Sequence, residues 1–220
     1  MADKPRVKAP KQRAASTDDS ARRRRMLTIA AVAAALGMVG GGGAKTDVAG
    51  LRTAFKDAGC TLKVAPALKG AHSITDPSQT SPLWNTDPPT SGPHYGFNPN
   101  GTLGTVIWGA YDQEVELARL VHNLEHGGVY ILYGKDVPDA TVQQLRAFYD
   151  DHKTGTVLAP LNRLGDKFAL GAWVVDGDTH NGFLAKCTTF DEGAASTFFR
   201  SLQFRGPERF DPSQLQPGGQ

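Results

Sequence analysis

Apolar and polar residues alternate along most of this chain at spacings that predict both helices and short strands. Helical spacing predicts four helices, at residues 46–58, at about 112–126, from Pro138 onward and at about 191–204. Uninterrupted apolar runs predict three buried strands, at residues 129–133, 156–159 and 168–175. Residues 72–104 are rich in Pro and Gly and predict an ordered, irregular loop. This order of elements predicts one α+β domain over residues 45–210, with a small sheet packed by helices and a flexible tail at 211–220.

The N-terminal part of the chain separates basic residues from apolar ones. Residues 1–25 carry nine Lys or Arg against three Asp, whereas the other 195 residues carry 15 basic and 19 acidic residues. The 18 residues at 26–43 are uncharged and follow four consecutive arginines, a pattern that favours a bilayer span with its N-terminus in the cytoplasm. We therefore predict a disordered cytoplasmic tail at 1–25, a transmembrane signal anchor at 26–43 and a single-pass membrane protein whose domain lies outside the cytoplasm.

Two other interpretations of residues 26–43 stay open: a signal peptide cut near Ala44, and a twin-arginine signal around Arg23 and Arg24. The anchor is favoured because a polar tail of 25 residues is long for the first part of a cleaved signal. All three export the domain. A nucleic-acid partner is not expected, because the excess of basic residues lies in the tail and not on the folded domain.

The chain has two cysteines, Cys60 and Cys187. In an oxidising compartment a disulfide between them is favoured over two free thiols or a soft metal ligand.

The predicted helix that ends near Gly127 carries the pentapeptide His122-Asn123-Leu124-Glu125-His126. Histidines four residues apart lie on one face of a helix, which is how one helix offers two nitrogens to a metal ion. Glu125 lies on the same side and can act as a ligand, as a partner of a ligand or as a base. Hydrogen-bonded core histidines are the alternative to a metal site.

A third histidine lies in the octapeptide PPTSGPHY, residues 88–95. Three prolines and Gly92 restrict the backbone around His94 and favour a turn that presents its imidazole. We predict that His94 joins His122 and His126 in one coordination sphere, which His72 or Glu125 completes. A structural turn with an incidental histidine is the competing interpretation.

The stretches DPPTSGPHY and LVHNLEHGGVYILY, a Trp-containing strand, a late cysteine and RGPERF resemble the bacterial membrane-anchored family known as domain of unknown function 3105. The resemblance covers roughly residues 45–210. It implies a basic tail, one anchor and an exported domain, and no established activity.

Three functions are compatible with these residues. The favoured one is an extracytoplasmic domain that binds Zn²⁺ or Cu²⁺ through the histidine cluster. A metal-dependent hydrolase is less favoured: the pentapeptide fits H-x-x-E-H, in which Glu125 activates water, with Glu192 or Glu208 as a distant third ligand. A metal-free interaction or structural domain of the cell envelope is the third, with the histidines in hydrogen bonds that brace the loop.

The anchor at 26–43 leads to a fractionation experiment. The protein should keep its N-terminus and remain with membranes after a high-salt wash, since salt screens charge interactions but not hydrophobic insertion. Recovery of a soluble form that begins near Lys45 would show that the segment is cleaved.

Overall fold

The computed structural model describes residues 45–70, 72–74, 84–96 and 104–219, which belong to one compact unit spanning residues 43–220. The anchor predicted at 26–43 lies outside the described residues. Among the helices of the described ranges, none has the length and apolar character needed to cross a bilayer.

The described residues form four α-helices and six strands. The helices are α1 (Val48–Asp57), α2 (Leu117–Glu125), α3 (Asp139–Asp151) and α4 (Glu192–Leu202). The strands are β1 (Thr61–Pro66), β2 (Gly109–Ala110), β3 (Val129–Tyr133), β4 (Thr156–Pro160), β5 (Phe168–Asp176) and β6 (Thr179–Cys187). Two short 3-10 helices lie at Asn162–Leu164 and Pro212–Gln214.

The strands form one mixed sheet in the order β1-β6-β5-β3-β4-β2. Strands β3 and β4 are parallel and are joined by α3, and β2 is also parallel to β4. The other neighbours are antiparallel, with β5 and β6 forming a hairpin. The α+β class is therefore confirmed.

Alternate residues of each strand pack on opposite faces of the sheet, because side chains alternate along a strand. Val129 and Ile131 of β3 belong to the core that α1, α3 and α4 cover. Tyr130 and Leu132 face the other core, to which α2 contributes Leu120, Val121 and Leu124. Three helices thus cover one face, and the other is covered by α2 and irregular segments.

The predicted helices and strands are present, with one boundary change and three additional strands. Strands β1, β2 and β6 were not predicted, so the sheet is larger than expected. His180 lies exposed in β6. Helix α2 begins at Leu117 and not near Asp112. The acidic residues before it are used in tertiary contacts instead: Asp112 pairs with Arg146, and the Glu114 carboxylate accepts from the backbone of Asn162 at 2.6 Å.

A disulfide joins Cys60 to Cys187, as predicted. Cys60 directly precedes β1 and Cys187 ends β6, so the bond lies at the end of a strand pair in which Thr61 is opposite Lys186. It links the edge of the sheet to the end of α1.

Reduction of this disulfide should lower the unfolding midpoint markedly, because closing a loop of this length stabilises a fold by roughly 5 kcal/mol in the chain-entropy model. Thermal unfolding followed by circular dichroism, with and without reductant, measures the change. The Cys60→Ser/Cys187→Ser variant should have the unfolding midpoint of the reduced protein, and reductant should not change it. Titratable thiols in folded, unreduced protein would contradict the bond.

Candidate metal centre

Helix α2 separates packing from polar chemistry. Val121 and Leu124 are buried in the core beneath the helix. His122 and Glu125 are buried as well, at 3% and 8% exposure, but they belong to a polar group that includes loop residues. The helix ends at Glu125, where the backbone N–H of His126 donates to the carbonyl of His122 at 3.2 Å and that of Gly127 donates to the carbonyl of Leu124 at 3.0 Å.

A glycine conformation and two hydrogen bonds fix the turn around His94. Gly92 has φ +110°, a conformation that favours glycine. The Ser91 hydroxyl accepts from the backbone of Leu68 at 3.1 Å, and the indole of Trp84 donates to the carbonyl of Pro93 at 3.0 Å. The imidazole of His94 is fully buried, so PPTSGPHY places this side chain inside the domain.

The hydrogen bonds of His94 determine where its proton lies. Nδ1 is 2.8 Å from the carbonyl oxygen of Gly92, and because a carbonyl oxygen only accepts, Nδ1 carries a hydrogen. Nε2 is 2.9 Å from Oε2 of Glu125. A neutral His94 would therefore direct a bare nitrogen at a carboxylate oxygen. Either a second proton or a cation is needed to make this contact favourable.

His72 completes the group from the start of the irregular loop. The backbone N–H of Ile74 donates to the carbonyl of His94 at 3.2 Å, which holds the two loop segments side by side. Nε2 of His72 then lies 3.4 Å from Oε2 of Glu125. The side chain of His72 is 45% exposed, so this edge of the group faces solvent.

Three imidazoles and one carboxylate thus converge. The ring centroids of His72, His94 and His122 are 4.9 to 5.0 Å apart in each pair. One ligand atom from each ring and one from Glu125 all lie within 4.8 Å of one another. Ligands at the usual 2.0–2.1 Å from a tetrahedral Zn²⁺ lie about 3.3 Å apart, so a modest contraction would close this set around an ion.

The segment after β1 approaches Glu125 closely. A Cβ atom on Gly70 would lie 2.6 Å from Oε1 of Glu125 and 2.7 Å from the ring of Trp173. Trp173 also presents its ring edge-on to His94, with centroids 6.2 Å apart. Gly70 therefore lies where the Glu125 carboxylate and the ring of Trp173 leave no room for a side chain.

His126 belongs to a second group that shares His122. Nε2 of His126 lies 3.2 Å from Oε2 of Glu208, and ligand atoms of His122, His126 and Glu208 lie within 4.8 Å of one another. Phe210 stacks on His126 at a centroid distance of 4.1 Å. The five residues predicted as ligands therefore divide: His72, His94, His122 and Glu125 come together, and His126 lies beside His122 with Glu208.

A known protein family matches the part of the chain that contains most of these residues. The family described as "Protein of unknown function (DUF3105)" matches residues 77–214. The chain belongs to the DUF3105 family. The match includes His94, the pentapeptide and Glu208, and it begins just after His72. No curated protein and no solved structure matches the chain.

The two histidines of the pentapeptide, His122 and His126, are poor bases in this DUF3105 chain. Burial, reinforced by the neighbouring His126 and His94, lowers the pKa of His122 to about 3. Burial also lowers the pKa of His126 to about 4, although Glu125 opposes the shift. Burial raises the pKa of Glu125, but the hydrogen bond with His94 and the surrounding imidazoles outweigh it, and the net shift is downward. At neutral pH the α2 residues are neutral imidazoles and a carboxylate, the forms that bind metal ions.

The geometry also bears on the H-x-x-E-H motif. A catalytic glutamate in that motif must face water on the ion held by the two histidines. In the DUF3105 chain the carboxylate of Glu125 faces His94 and His72 instead. This placement favours a ligand or a partner of ligands over a general base.

The sequence did not place three residues, Gly70, Trp173 and Glu208, at this site. Glu208 entered only as a distant ligand of a hydrolase, although it lies in RGPERF, one of the stretches that carry the family resemblance. Gly70 and Trp173 gave no chemical signal, because their positions beside Glu125 and His94 depend on tertiary packing.

The metal-free DUF3105 domain should lose stability between pH 7 and pH 5. His122 and His126 both have pKa values depressed below the usual 6.5, so the unfolded state binds protons in this range that the folded state does not. Well below pH 6.5, the free energy of unfolding should fall by about 1.4 kcal/mol per pH unit for each such histidine. Urea unfolding with a chelator present measures this slope.

The His122→Gln/His126→Gln variant should flatten that pH dependence, whereas His180→Gln, on an exposed strand position, should preserve it. Equal stability of the wild type at the two pH values would contradict the assigned neutral state.

Proposed function

We propose that this chain is a membrane-anchored metal-binding protein whose extracytoplasmic domain holds one Zn²⁺ or Cu²⁺ ion with His72, His94, His122 and Glu125. The observation that carries the proposal is the convergence of four ligand atoms within 4.8 Å from three separate chain segments. The tautomer of His94 supports it, because the hydrogen on Nδ1 leaves the lone pair of Nε2, which faces Glu125, to a metal ion.

A second observation favours a metal over a purely hydrogen-bonded cluster. Nδ1 of His122 is buried and has no hydrogen-bond partner among the described residues. A metal-free bracing role would use its polar atoms in hydrogen bonds, since buried polar groups are rarely left without them. The near contact of His94 Nε2 and the Glu125 carboxylate is likewise stabilised when a cation lies beside both.

The donor set selects among metals. Imidazole nitrogens suit Zn²⁺ and Cu²⁺, and a carboxylate is acceptable to both. The three methionines, Met1, Met26 and Met38, all precede the domain, so thioether ligands for Cu⁺ are missing from it. Four protein ligands would fill a tetrahedral sphere, which is typical of a site that holds an ion or stabilises a fold.

The cellular setting is part of the proposal. Residues 26–43 would anchor the chain, with residues 1–25 in the cytoplasm and the domain on the outer side. The Cys60–Cys187 disulfide supports export, because such bonds persist in oxidising compartments. A site with one exposed ligand, His72, fits a domain that takes up or releases ions at the envelope.

Metal titration of the tag-free full chain tests the proposal. His94→Ala should weaken binding of Zn²⁺ or Cu²⁺ by more than about 100-fold, since even loss of a residue that only supports a ligand costs roughly 10–100-fold. His122→Ala should be as severe, although the two residues are far apart in sequence. Isothermal titration calorimetry and elemental analysis measure affinity and content.

His72→Ala is the variant that separates binding from folding. Its side chain is half-exposed, so the variant should fold like the wild type while its affinity falls. His152→Ala is the matched control and should leave binding unchanged. If neither metal binds, or if the His72, His94 and His122 variants all bind as the wild type does, the proposed site is wrong. Glu125→Gln addresses the hydrolase alternative: retained metal with loss of a measured hydrolytic activity would favour catalysis.

A further inference from the structure

The second polar group beside α2 is formed by His122, His126 and Glu208. It contains two imidazoles and one carboxylate with ligand atoms within 4.8 Å of one another. His126 is 5% exposed, and its ring is fixed between Phe210 at 4.1 Å and His122 at 4.6 Å between centroids. The group is therefore a restrained cluster and not a flexible surface ion pair.

Glu208 is delivered to this group by a segment that follows α4. The backbone N–H of Phe204 donates to the carbonyl of Gly127 at 2.7 Å, and that of Glu208 donates to the carbonyl of Glu125 at 2.9 Å. Arg205 pairs with Asp176 on the neighbouring strand. These contacts place the segment across the C-terminal end of α2, so the backbone that carries Glu208 is held independently of the carboxylate itself.

One ring nitrogen of each histidine in this group has no hydrogen-bond partner among the described residues. Nδ1 of His122 and Nδ1 of His126 are both buried without a hydrogen-bond partner among the described residues. A buried polar atom left unpaired requires a reason, and an ion that binds there is one. His122 also belongs to the first group. Its two nitrogens can each bind one cation once the ring N–H proton is released to solvent, so the shared form of the ring is an imidazolate.

We infer that His122, His126 and Glu208 form a second site for Zn²⁺ or Cu²⁺, adjacent to the proposed first site and sharing His122 with it. Its chemistry differs from that of the first site. Three protein ligands leave the fourth tetrahedral position for water, and the carboxylate of Glu208 is 47% exposed, so solvent reaches this ion. The domain would hold one ion enclosed by four protein ligands and one ion with an open position.

Glu208→Gln tests the second site with little risk to the fold, because the side chain is half-exposed and the segment is held by its backbone. Wild-type full chain titrated with Zn²⁺ should bind two ions per chain. Glu208→Gln should bind one with the affinity of the first site unchanged and the second weakened by at least tenfold. Glu192→Gln, an exposed glutamate in the first turn of α4, is the matched control and should bind two.

Cu²⁺ provides a second readout that a purely structural role of Glu208 would not change. Two Cu²⁺ ions bridged by the His122 imidazolate, whose proton is released to solvent, couple magnetically, so the electron paramagnetic resonance signal of the doubly loaded wild type should be broadened or reduced. Glu208→Gln should show the signal of an isolated Cu²⁺ ion.

The outcomes separate this inference from the proposed function. One ion per wild-type chain that Glu208→Gln does not affect would overturn the second site and leave the first intact. One ion that is lost in Glu208→Gln and retained in His94→Ala would support the second site and overturn the first. Loss of both ions in His122→Ala, with loss of only one in each of the other two variants, would support both.

Discussion

The buried carboxylate of Glu125 is the constraint on which this side of the domain depends. An ionised group removed from water without partners costs several kcal/mol, so the fold must surround it with donors or a cation. His94 and His72 supply those contacts from the loop, and Gly70 permits the chain after β1 to close over the other oxygen. The irregular path of the loop has a physical reason: it brings imidazoles to one carboxylate at the end of a helix.

The sheet gives that carboxylate a rigid base. Helices α1, α3 and α4 cover one face with a largely apolar core, and the disulfide links α1 and β1 to β6 at the sheet edge. Among the described residues, α2 is the one α-helix packed on the opposite face, and loops and short 3-10 helices cover the rest of what is described there. Both faces carry an apolar core, and the polar groups lie only at the α2 side.

Helix α2 ends where two polar groups meet, and His122 belongs to both. On its loop side, the ring faces His72, His94 and Glu125; on the other side it meets His126 and the segment that carries Glu208. If both groups hold ions, one imidazole links a fully coordinated ion to one that is open to solvent. Charge or occupancy at one position would then influence the other directly through the ring, without a conformational change.

The sequence alone determined the α+β class, the four helices, three of the six strands, the disulfide partners and the histidines to suspect. Those features follow from local periodicity, from having only two cysteines, and from the spacing of His122 and His126 on one helix face. Tertiary structure decided the rest. Strands β1 and β6 depend on pairing with neighbours, and α2 starts late because distant Arg146 and Asn162 engage the acidic residues before it. Helical spacing placed His126 near His122 but could not show that His94 would meet Glu125 while His126 met Glu208, because those contacts join segments whose positions only the packed sheet establishes.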